Sequence, residues 1–399
     1  MVGKKGTIFA WAVYDLANTA FSALYITFFF PLLIKVYLGG NEFQLGLVIG
    51  ISMLLAGIVV PIIGAISDAH GRKMPFVIFF TVSCVIFTTL TGYVGLYAAL
   101  IFGLIANLTY HAAIDVYDAV LVDISNKKNI GAISGYGTAL GYVGTILSLI
   151  MAYFLLNRYG WDTKLGTQAM FPATAAFFLL FSLVTFIMLK DKKKSKIKLG
   201  QATRKAFSEV KSTFTQIRKY KGLLTFLIAS FIYNDGMNTA ILFLYLYGRE
   251  QVGLSMMHFF YVYSIMAVAA VFGSLIFGKL NDRIGPKKSL TLALVIWISV
   301  VMFLMNVSNV VSFLIAGSLG GAVLGAVWTV NRPMLVKLSP RHKIAEMFGF
   351  EGMTQKFSGV IGPILFGFLV VRFGYQSALI SLLFFFSVGL LVLQKVPDV

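Results

Sequence analysis

Four polar residues recur at helical spacing inside an apolar stretch of the chain: Asn107, His111, Asp115 and Asp118. Their separations of four, four and three positions place them on one face of an α-helix. Imidazole and carboxylate groups exchange protons with each other and with water. The stripe therefore predicts a proton-handling site, and a polar patch that only fixes helix packing is the alternative.

Two further pairs share one spacing, with an asparagine three positions after an aspartate: Asp15/Asn18 and Asp235/Asn238. A carboxylate beside an amide could bind an ammonium group or a hydroxyl-rich solute. The same side chains could instead hold a helix bend by bonding to the backbone groups that the bend frees. The sequence leaves both interpretations open.

The elements that must position these residues are transmembrane helices. Hydrophobic residues make up 58% of the 399 positions and charged residues only 12%, which is far less charge than a soluble chain carries. Apolar runs of nearly twenty residues recur, and each could cross the ~30 Å hydrocarbon core as a helix. They lack the period-two alternation of membrane strands. We therefore predict an all-α integral membrane protein with about twelve transmembrane helices.

Ionisable side chains inside such helices are expensive, at roughly 2.5–3.5 kcal/mol each at a helix centre, so function is the default interpretation. Glu351 and Gln355, one turn apart in predicted helix eleven, present the same choice as the aspartate–asparagine pairs. The candidates for substrate or proton binding are Asp15, Asn18, His111, Asp115, Asp118, Asp235, Asn238, Glu351 and Gln355.

The net charge of +18 is distributed unevenly between the two sides of the membrane. When loops are assigned alternately to two sides, 28 of the 33 Lys and Arg residues fall on one side and five on the other. Positive residues stay cytoplasmic, so both termini and the long central loop should face the cytoplasm. The basic excess thus indicates topology and contact with anionic lipid headgroups, not a nucleic-acid partner. We expect a multi-pass protein of a prokaryotic plasma membrane.

Two motifs occur twice, which predicts a duplication. The motif at Asp15–Ala20 returns at Asp235–Ala240, and a glycine-flanked loop at Gly64–Lys73 returns at Gly278–Lys288. The predicted domains are a six-helix bundle over residues 1–190, a cytoplasmic linker with a possible amphipathic helix over 191–221, and a second six-helix bundle over 222–399. The lone cysteine, Cys84, permits no intramolecular disulfide.

The repeated loop resembles the cytoplasmic loop motif of the major facilitator superfamily, found between helices two and three and between helices eight and nine. Glycines permit a tight turn and close helix approach, and the aspartate can accept backbone N–H bonds at a helix start. The resemblance implies two six-helix bundles and a cytoplasmic gate. The loop residues assigned to it are Gly64, Asp68, Gly71, Arg72, Lys73, Gly278, Asp282, Gly285, Lys287 and Lys288.

A narrower resemblance covers most of the chain. The segments Trp11–Phe21, Ser134–Gly144 and Phe348–Pro363 resemble helices one, five and eleven of the vacuole-effluxer-like family, whose fungal members export amino acids from the vacuole. The resemblance implies amino-acid efflux by analogy, because one fold hosts many substrates.

Opposite charges occupy equivalent places in the two halves. An offset of 214 positions, as between Gly64 and Gly278, matches Asp118 to Arg332 and Asp123 to Lys337. We predict that these four residues belong to the cytoplasmic gate, and that they or nearby charges pair across the halves when the gate closes. Simple positive-inside bias is the alternative explanation for the two cations.

These patterns favour a secondary transporter that works by alternating access, without a cofactor or metal and as a monomer. No phosphate-binding Gly-x-x-x-x-Gly-Lys-Ser/Thr loop with a cytosolic ATPase domain is present in the sequence, which disfavours ATP-driven transport. No zinc-type cluster or Ser-His-Asp arrangement indicates an enzyme, and no filter segment indicates a channel. We expect proton-coupled efflux of an amino acid or related small metabolite, with a multidrug, sugar or lipid carrier as the alternative.

Overall fold

The computed structural model describes residues 4–70, 72–124, 130–191, 220–339 and 344–398. This part of the chain forms helices joined by short connections. The first helix, α1, joins the segments Lys4–Ala20, Phe21–Phe29, Phe30–Leu32 and Leu33–Tyr37. The others are α2 (Glu42–His70), α3 (Met74–Thr91), α4 (Leu96–Ile124), α5 (Ile130–Tyr159), α6 (Lys164–Met188), α7 (Lys221–Val252), α8 (Met256–Ile284), α9 (Pro286–Leu304), α10 (Val310–Leu338), α11 (Ile344–Phe357) and α12 (Ile361–Gln394).

Eleven stretches of the described residues are long and apolar enough to cross a membrane. The last of them, Glu351–Gln394, has 44 residues and would be about 66 Å long as a straight helix, twice the hydrocarbon thickness. Gly374 interrupts it with a φ of 81°, a left-handed conformation that favours glycine. The architecture is thus all-helical and consistent with twelve crossings.

Helix α1 is irregular in its second half. Phe21–Phe29 and Leu33–Tyr37 are π-helical, and the Thr27 hydroxyl donates to the carbonyl oxygen of Ser22, five residues earlier, at 2.9 Å. Pro31 has no backbone N–H, and its ring crowds the preceding turn. A wider helix accommodates this crowding, and π-helical turns are frequent at functional sites.

The chain divides into two compact units, and α2 contributes to both. One unit comprises Met1–Gly40 with Ile51–Ser212, and the other Asn41–Gly50 with Thr213–Val399. The start of α2 therefore packs in the second unit, where the Tyr375 hydroxyl donates to buried Glu42 at 3.0 Å. The linker predicted at 191–221 and its amphipathic helix lie almost entirely outside the described residues.

The core of the first unit is built from aromatic rings on α1. The Trp11 ring stacks on the Tyr117 ring with centroids 5.0 Å apart, and Tyr14 lies 4.4 Å from the same ring. The buried hydroxyl of Tyr14 is satisfied by Thr81 of α3 at 2.6 Å, as a polar group away from water requires. These contacts hold α1 between α3 and α4.

Glycines allow α5 to approach α1 closely. A Cβ at Gly144 would lie 2.1 Å from the carbonyl oxygen of Leu16, far inside van der Waals contact. The Thr19 hydroxyl uses the same approach to donate to the carbonyl oxygen of Gly141 at 3.0 Å. Small residues at helix interfaces serve this purpose in membrane proteins.

We expect Gly144→Ala to lower the unfolding temperature of the purified protein. The added methyl group would force α1 and α5 apart, and overpacking of this kind costs about 1–3 kcal/mol. That cost exceeds the roughly 0.5–1 kcal/mol that alanine gains over glycine within a helix. The matched control is Gly95→Ala, whose Cβ meets nothing within 4 Å. An equal change in both variants would contradict this prediction.

Candidate functional site

The polar stripe predicted from the sequence lies along α4, in the first unit. Asn107 is buried, and its amide donates to the Ser52 hydroxyl of α2 at 2.6 Å. His111 and Asp115 are half-buried, and Asp118 is exposed. The stripe thus passes from a packing contact at Asn107 to more accessible carboxyl groups about two to three turns further along.

Helix α1 brings a further carboxylate to this region. The hydroxyls of Tyr110 and Tyr117 lie within electrostatic range of both Asp15 and Asp118. Tyr117 donates to the carbonyl oxygen of Trp11 at 2.8 Å, which holds α4 against α1. Asp15 and Asp118, distant in sequence, therefore share one neighbourhood around these two rings.

The Asp15 carboxylate rests over a glycine of α5. A Cβ at Gly137 would lie 2.3 Å from Oδ2 of Asp15, so only glycine leaves room for the carboxylate there. The amide of Asn18 donates to Oδ1 of Asp15 at 3.4 Å. The predicted pair is formed, and Gly137 is a part of its site that spacing alone could not identify.

The equivalent pair in the second unit has a different environment. Asp235 is fully buried, and both of its carboxylate oxygens lie 2.9 Å from the backbone nitrogen of Gly362. Gly362 lies in the first turn of α12, just after the break at residues 358–360 that separates α11 from α12. The Asn238 amide donates to the Ser358 hydroxyl at 3.5 Å. This geometry matches the second alternative, in which the pair stabilises a break in a helix.

Helix α11 carries the third predicted pair. Glu351 is buried, and the Gln355 amide donates to its Oε1 at 2.5 Å. Arg332 of α10 and Lys356 lie close enough to act on its charge. The sequence pattern did not indicate Asn331, which is buried and accepts a hydrogen bond from the Tyr233 hydroxyl at 2.6 Å. Tyr233 in turn lies within electrostatic range of Glu351.

The first glycine-flanked loop connects α2 to α3 and is tied to two other elements. The Lys73 ammonium pairs with Asp123 at 2.9 Å and donates to the carbonyl oxygen of Ala119 at 2.7 Å, both on α4. Oδ1 of Asp191 accepts from the backbone nitrogens of Lys73 and Met74, at 2.9 and 3.1 Å. Asp191, which follows α6, therefore caps α3, and the sequence motif did not include it.

The second loop, between α8 and α9, repeats part of this arrangement. Lys287 pairs at 3.1 Å with Asp398, which follows α12 as Asp191 follows α6. Gly285 ends α8 with a φ of 87°. Of the remaining gate residues with described side chains, Gly278 is half-buried. The others are exposed, namely Arg72, Asp282, Lys288, Arg332 and Lys337. Gly71 lies outside the described residues, as do the side-chain environments of Gly64 and Asp68. Pairing of Asp118 and Asp123 with Arg332 and Lys337 stays a prediction.

We expect Lys73→Ala to lower both the unfolding temperature and the transport rate. The Lys73 side chain is 13% exposed, and its loss leaves the Ala119 carbonyl without this donor and α3 less firmly attached to α4. Asp123 is 51% exposed, so its ion pair is screened and Asp123→Asn should have a smaller effect. Lys279→Ala, which removes an exposed cation near the end of α8, is the matched control. A larger effect at Asp123 than at Lys73 would contradict the prediction.

Comparison with known proteins gives one family and several relatives. The family described as "Vacuole effluxer Atg22 like" matches residues 122–398. An "Uncharacterized MFS-type transporter YxiO" of Bacillus subtilis is 29% identical, over 98% of this chain and 94% of the relative. The "Multidrug resistance protein MdtG" of Escherichia coli is 24% identical, over 94% and 90% respectively.

Solved structures share the fold over nearly the full length of both chains. A bacterial homologue of the lysosomal transporter Spinster, facing inward and unoccupied, has a TM-score of 0.74 at 12% identity, covering 98% of this chain and 96% of the other. A D-xylose-proton symporter has a TM-score of 0.76 at 14% identity, covering 99% and 98%. The nucleoside transporter NupG has the same TM-score at 14% identity, covering 98% and 100%.

Proposed function

Because this chain belongs to the vacuole effluxer Atg22-like family, within the major facilitator superfamily, we propose that it exports amino acids or related small metabolites in exchange for protons. It is a multi-pass membrane transporter, as its relatives and structural neighbours are, and it is not an enzyme. The substrate class and the coupling to protons are the proposed part. Solute and proton would occupy the membrane-embedded acidic groups in turn.

The observation that carries the proposal is the graded exposure of titratable groups on α4. His111 and Asp115 are half-buried and Asp118 is exposed, so protons can pass along one helical face between the interior and the surface. Asp15 lies in the same neighbourhood, through Tyr117. Acidic groups inside a transmembrane helix cost free energy, and where they occur they usually mark a substrate or proton pathway.

Competition for these carboxylates would produce exchange. A deprotonated carboxylate attracts an ammonium group, whereas a protonated one neither attracts it nor carries the cost of a charge in a low-dielectric region. Entry of a proton would therefore release an amino acid, and entry of an amino acid would release a proton. Each ligand would bias the alternating-access equilibrium only through its differential affinity for the two states.

The test is transport by purified protein in liposomes. Vesicles loaded with each of the twenty amino acids in turn should lose the substrate when an inward proton gradient is imposed, and should show counterflow without a gradient. Empty liposomes give the background. Counterflow that does not respond to the gradient would refute coupling, and no exchange of any amino acid would refute the substrate class.

A multidrug exporter is the second candidate, favoured by the match to MdtG over 94% of the chain. Such a protein should export lipophilic cations rather than amino acids. Counterflow of tetraphenylphosphonium in the same vesicles separates the two. Saturation by amino acids alone supports the first proposal, and saturation by tetraphenylphosphonium alone supports the second.

The topology is also part of the proposal. The split of basic residues supports placing both termini in the cytoplasm, with the basic side of the protein against anionic headgroups. We propose a monomer in the plasma membrane. Accessibility of single cysteines introduced near residue 4 and near residue 398, in the Cys84→Ala background, would test the orientation.

A further inference from the structure

A chain of hydrogen bonds in the second unit ends in an unused donor. The Asn234 amide donates to the Ser230 hydroxyl at 2.9 Å, and Ser230 lies one helical turn before Tyr233 on α7. Tyr233 then donates to Oδ1 of Asn331 at 2.6 Å. With Oδ1 committed to Tyr233, the Asn331 amide must present its NH₂ group on the other side.

That NH₂ group has no hydrogen-bond partner among the described residues. Asn331 is only 2% exposed, and a buried donor without an acceptor destabilises the folded protein. Most buried polar groups are paired, so each exception calls for an explanation. A ligand that brings its own acceptor explains this one, because the Tyr233 hydrogen bond holds the amide in place beforehand.

Charges of both signs lie beside this donor. Arg332 follows Asn331 on α10 and is exposed. Glu351 of α11 lies within electrostatic range of Tyr233, Arg332 and Lys356. Arg332 and Gln355 are exposed, so the charged groups here lie near an accessible surface. The cluster therefore offers a cation and an amide donor on α10, and a carboxylate acceptor on α11.

We propose that Asn331, Arg332 and Glu351 form a subsite for the zwitterionic end of an α-amino acid, a proposal that rests on the function proposed above. The substrate carboxylate accepts from the Asn331 amide and from Arg332, and its ammonium group donates to Glu351. A zwitterion brings one charge for each of these two charged residues, so it enters without leaving an uncompensated charge. Tyr233 is a positioning residue that orients the amide.

Among the described residues, the first unit does not repeat the Asn–Arg pair of this subsite at the equivalent positions. By the offset of 214, Asn331 corresponds to Tyr117 and Arg332 to Asp118. The Tyr117 hydroxyl already donates to the carbonyl oxygen of Trp11, and the position next to it carries a negative charge in place of a positive one. The first unit is thus suited to protons and cations, and the second to a carboxylate.

Binding by purified protein in nanodiscs tests the subsite. The probes are the twenty amino acids and, for the tightest of them, its carboxamide and its decarboxylated amine. Asn331→Leu keeps a similar volume but removes the donor, and we expect it to raise Kd about ten- to a hundredfold, as loss of a hydrogen bond to a charged group does. Arg332→Gln should act in the same direction. Asn306→Leu, an amide outside the cluster, is the control that should bind as wild type does.

The analogues separate direct contact from a general loss of structure. The amine lacks the carboxylate, so it should bind wild-type protein weakly and should not be weakened further by Asn331→Leu. Tyr233→Phe should raise Kd less than Asn331→Leu does. If Asn331→Leu does not fold, Arg332→Gln and Tyr233→Phe with the same analogues decide the question.

The outcomes for the two proposals are distinct. If wild-type protein binds an amino acid and Asn331→Leu and Arg332→Gln bind it equally well, the subsite is refuted while amino-acid transport stands. If wild-type protein binds none of the twenty amino acids but binds tetraphenylphosphonium, the proposed function itself is refuted. An equal loss of affinity for the amino acid and for its decarboxylated amine in Asn331→Leu would also overturn the subsite.

Discussion

Replacing Asp115 or Asp118 with asparagine should remove most of the response of transport to an imposed pH gradient. Asparagine keeps the size of the side chain but cannot take up a proton. Because a hydrogen bond to a charged group contributes roughly 1.5–3 kcal/mol, we expect the proton-driven rate to fall at least about tenfold. The measurement is the efflux of an amino acid from proteoliposomes as a function of the external pH.

Two further variants make this result specific. Asn107→Ala removes the packing contact with Ser52 at the buried end of the same stripe, so it should lower the unfolding temperature and leave the shape of the pH profile intact. His111→Gln should shift the profile, since imidazole titrates in the range where the gradient is imposed. Wild-type pH dependence in both aspartate variants would exclude the stripe from coupling.

Replacing Asp235 with alanine should strongly destabilise the second unit, whereas asparagine should be tolerated. Both carboxylate oxygens lie 2.9 Å from the Gly362 nitrogen, at a position with no exposure. Alanine leaves that N–H unpaired, which costs about 1–3 kcal/mol, and releases the start of α12. Asparagine retains an acceptor oxygen, so its unfolding temperature should stay close to that of wild type.

Transport by the same two variants separates the structural role from contact with an ion or substrate. If Asp235 only stabilises the break between α11 and α12, Asp235→Asn should keep most of the transport rate. If Asp235→Asn has the unfolding temperature of wild type but transports no faster than Asp235→Ala, the negative charge is required. Asp235 would then contact an ion or the substrate. Glu250→Gln and Glu250→Ala, at an exposed glutamate near the end of α7, are the controls and should match each other.

Much of this protein could be predicted from its sequence because the signals are local. The length of an apolar run decides whether it can cross a bilayer as a helix. Backbone polar groups in lipid must be hydrogen-bonded within the protein, so few structures other than a helix are possible. The stripe on α4 was predicted correctly as one helical face, since a period of 3.6 residues depends on no distant contact. The two repeated motifs predicted a duplication for the same reason.

Only the tertiary structure distinguished the two copies of the Asp-x-x-Asn motif. Asp15 lies over Gly137 of a continuous α5, where no backbone N–H is freed, and it remains half-buried beside Tyr117. Asp235 faces the first turn of α12, where a break has released the Gly362 N–H. Identical spacing on α1 and α7 thus gives different environments, because the environment depends on what the neighbouring helix leaves unpaired.

Asn331 is a second residue whose environment only the tertiary structure showed. Val330 before it is apolar, and positive-inside bias is an alternative explanation for Arg332 after it. The spacing of polar residues therefore did not indicate Asn331. Its role follows from Tyr233, a residue 98 positions away, which holds one end of the amide and leaves the other unused. The sequence determined which segments can cross a membrane as helices, and it predicted that the two halves are duplicated. The packing of those helices decided which polar groups are satisfied and which remain available to a ligand, because that depends on contacts between residues far apart in the chain.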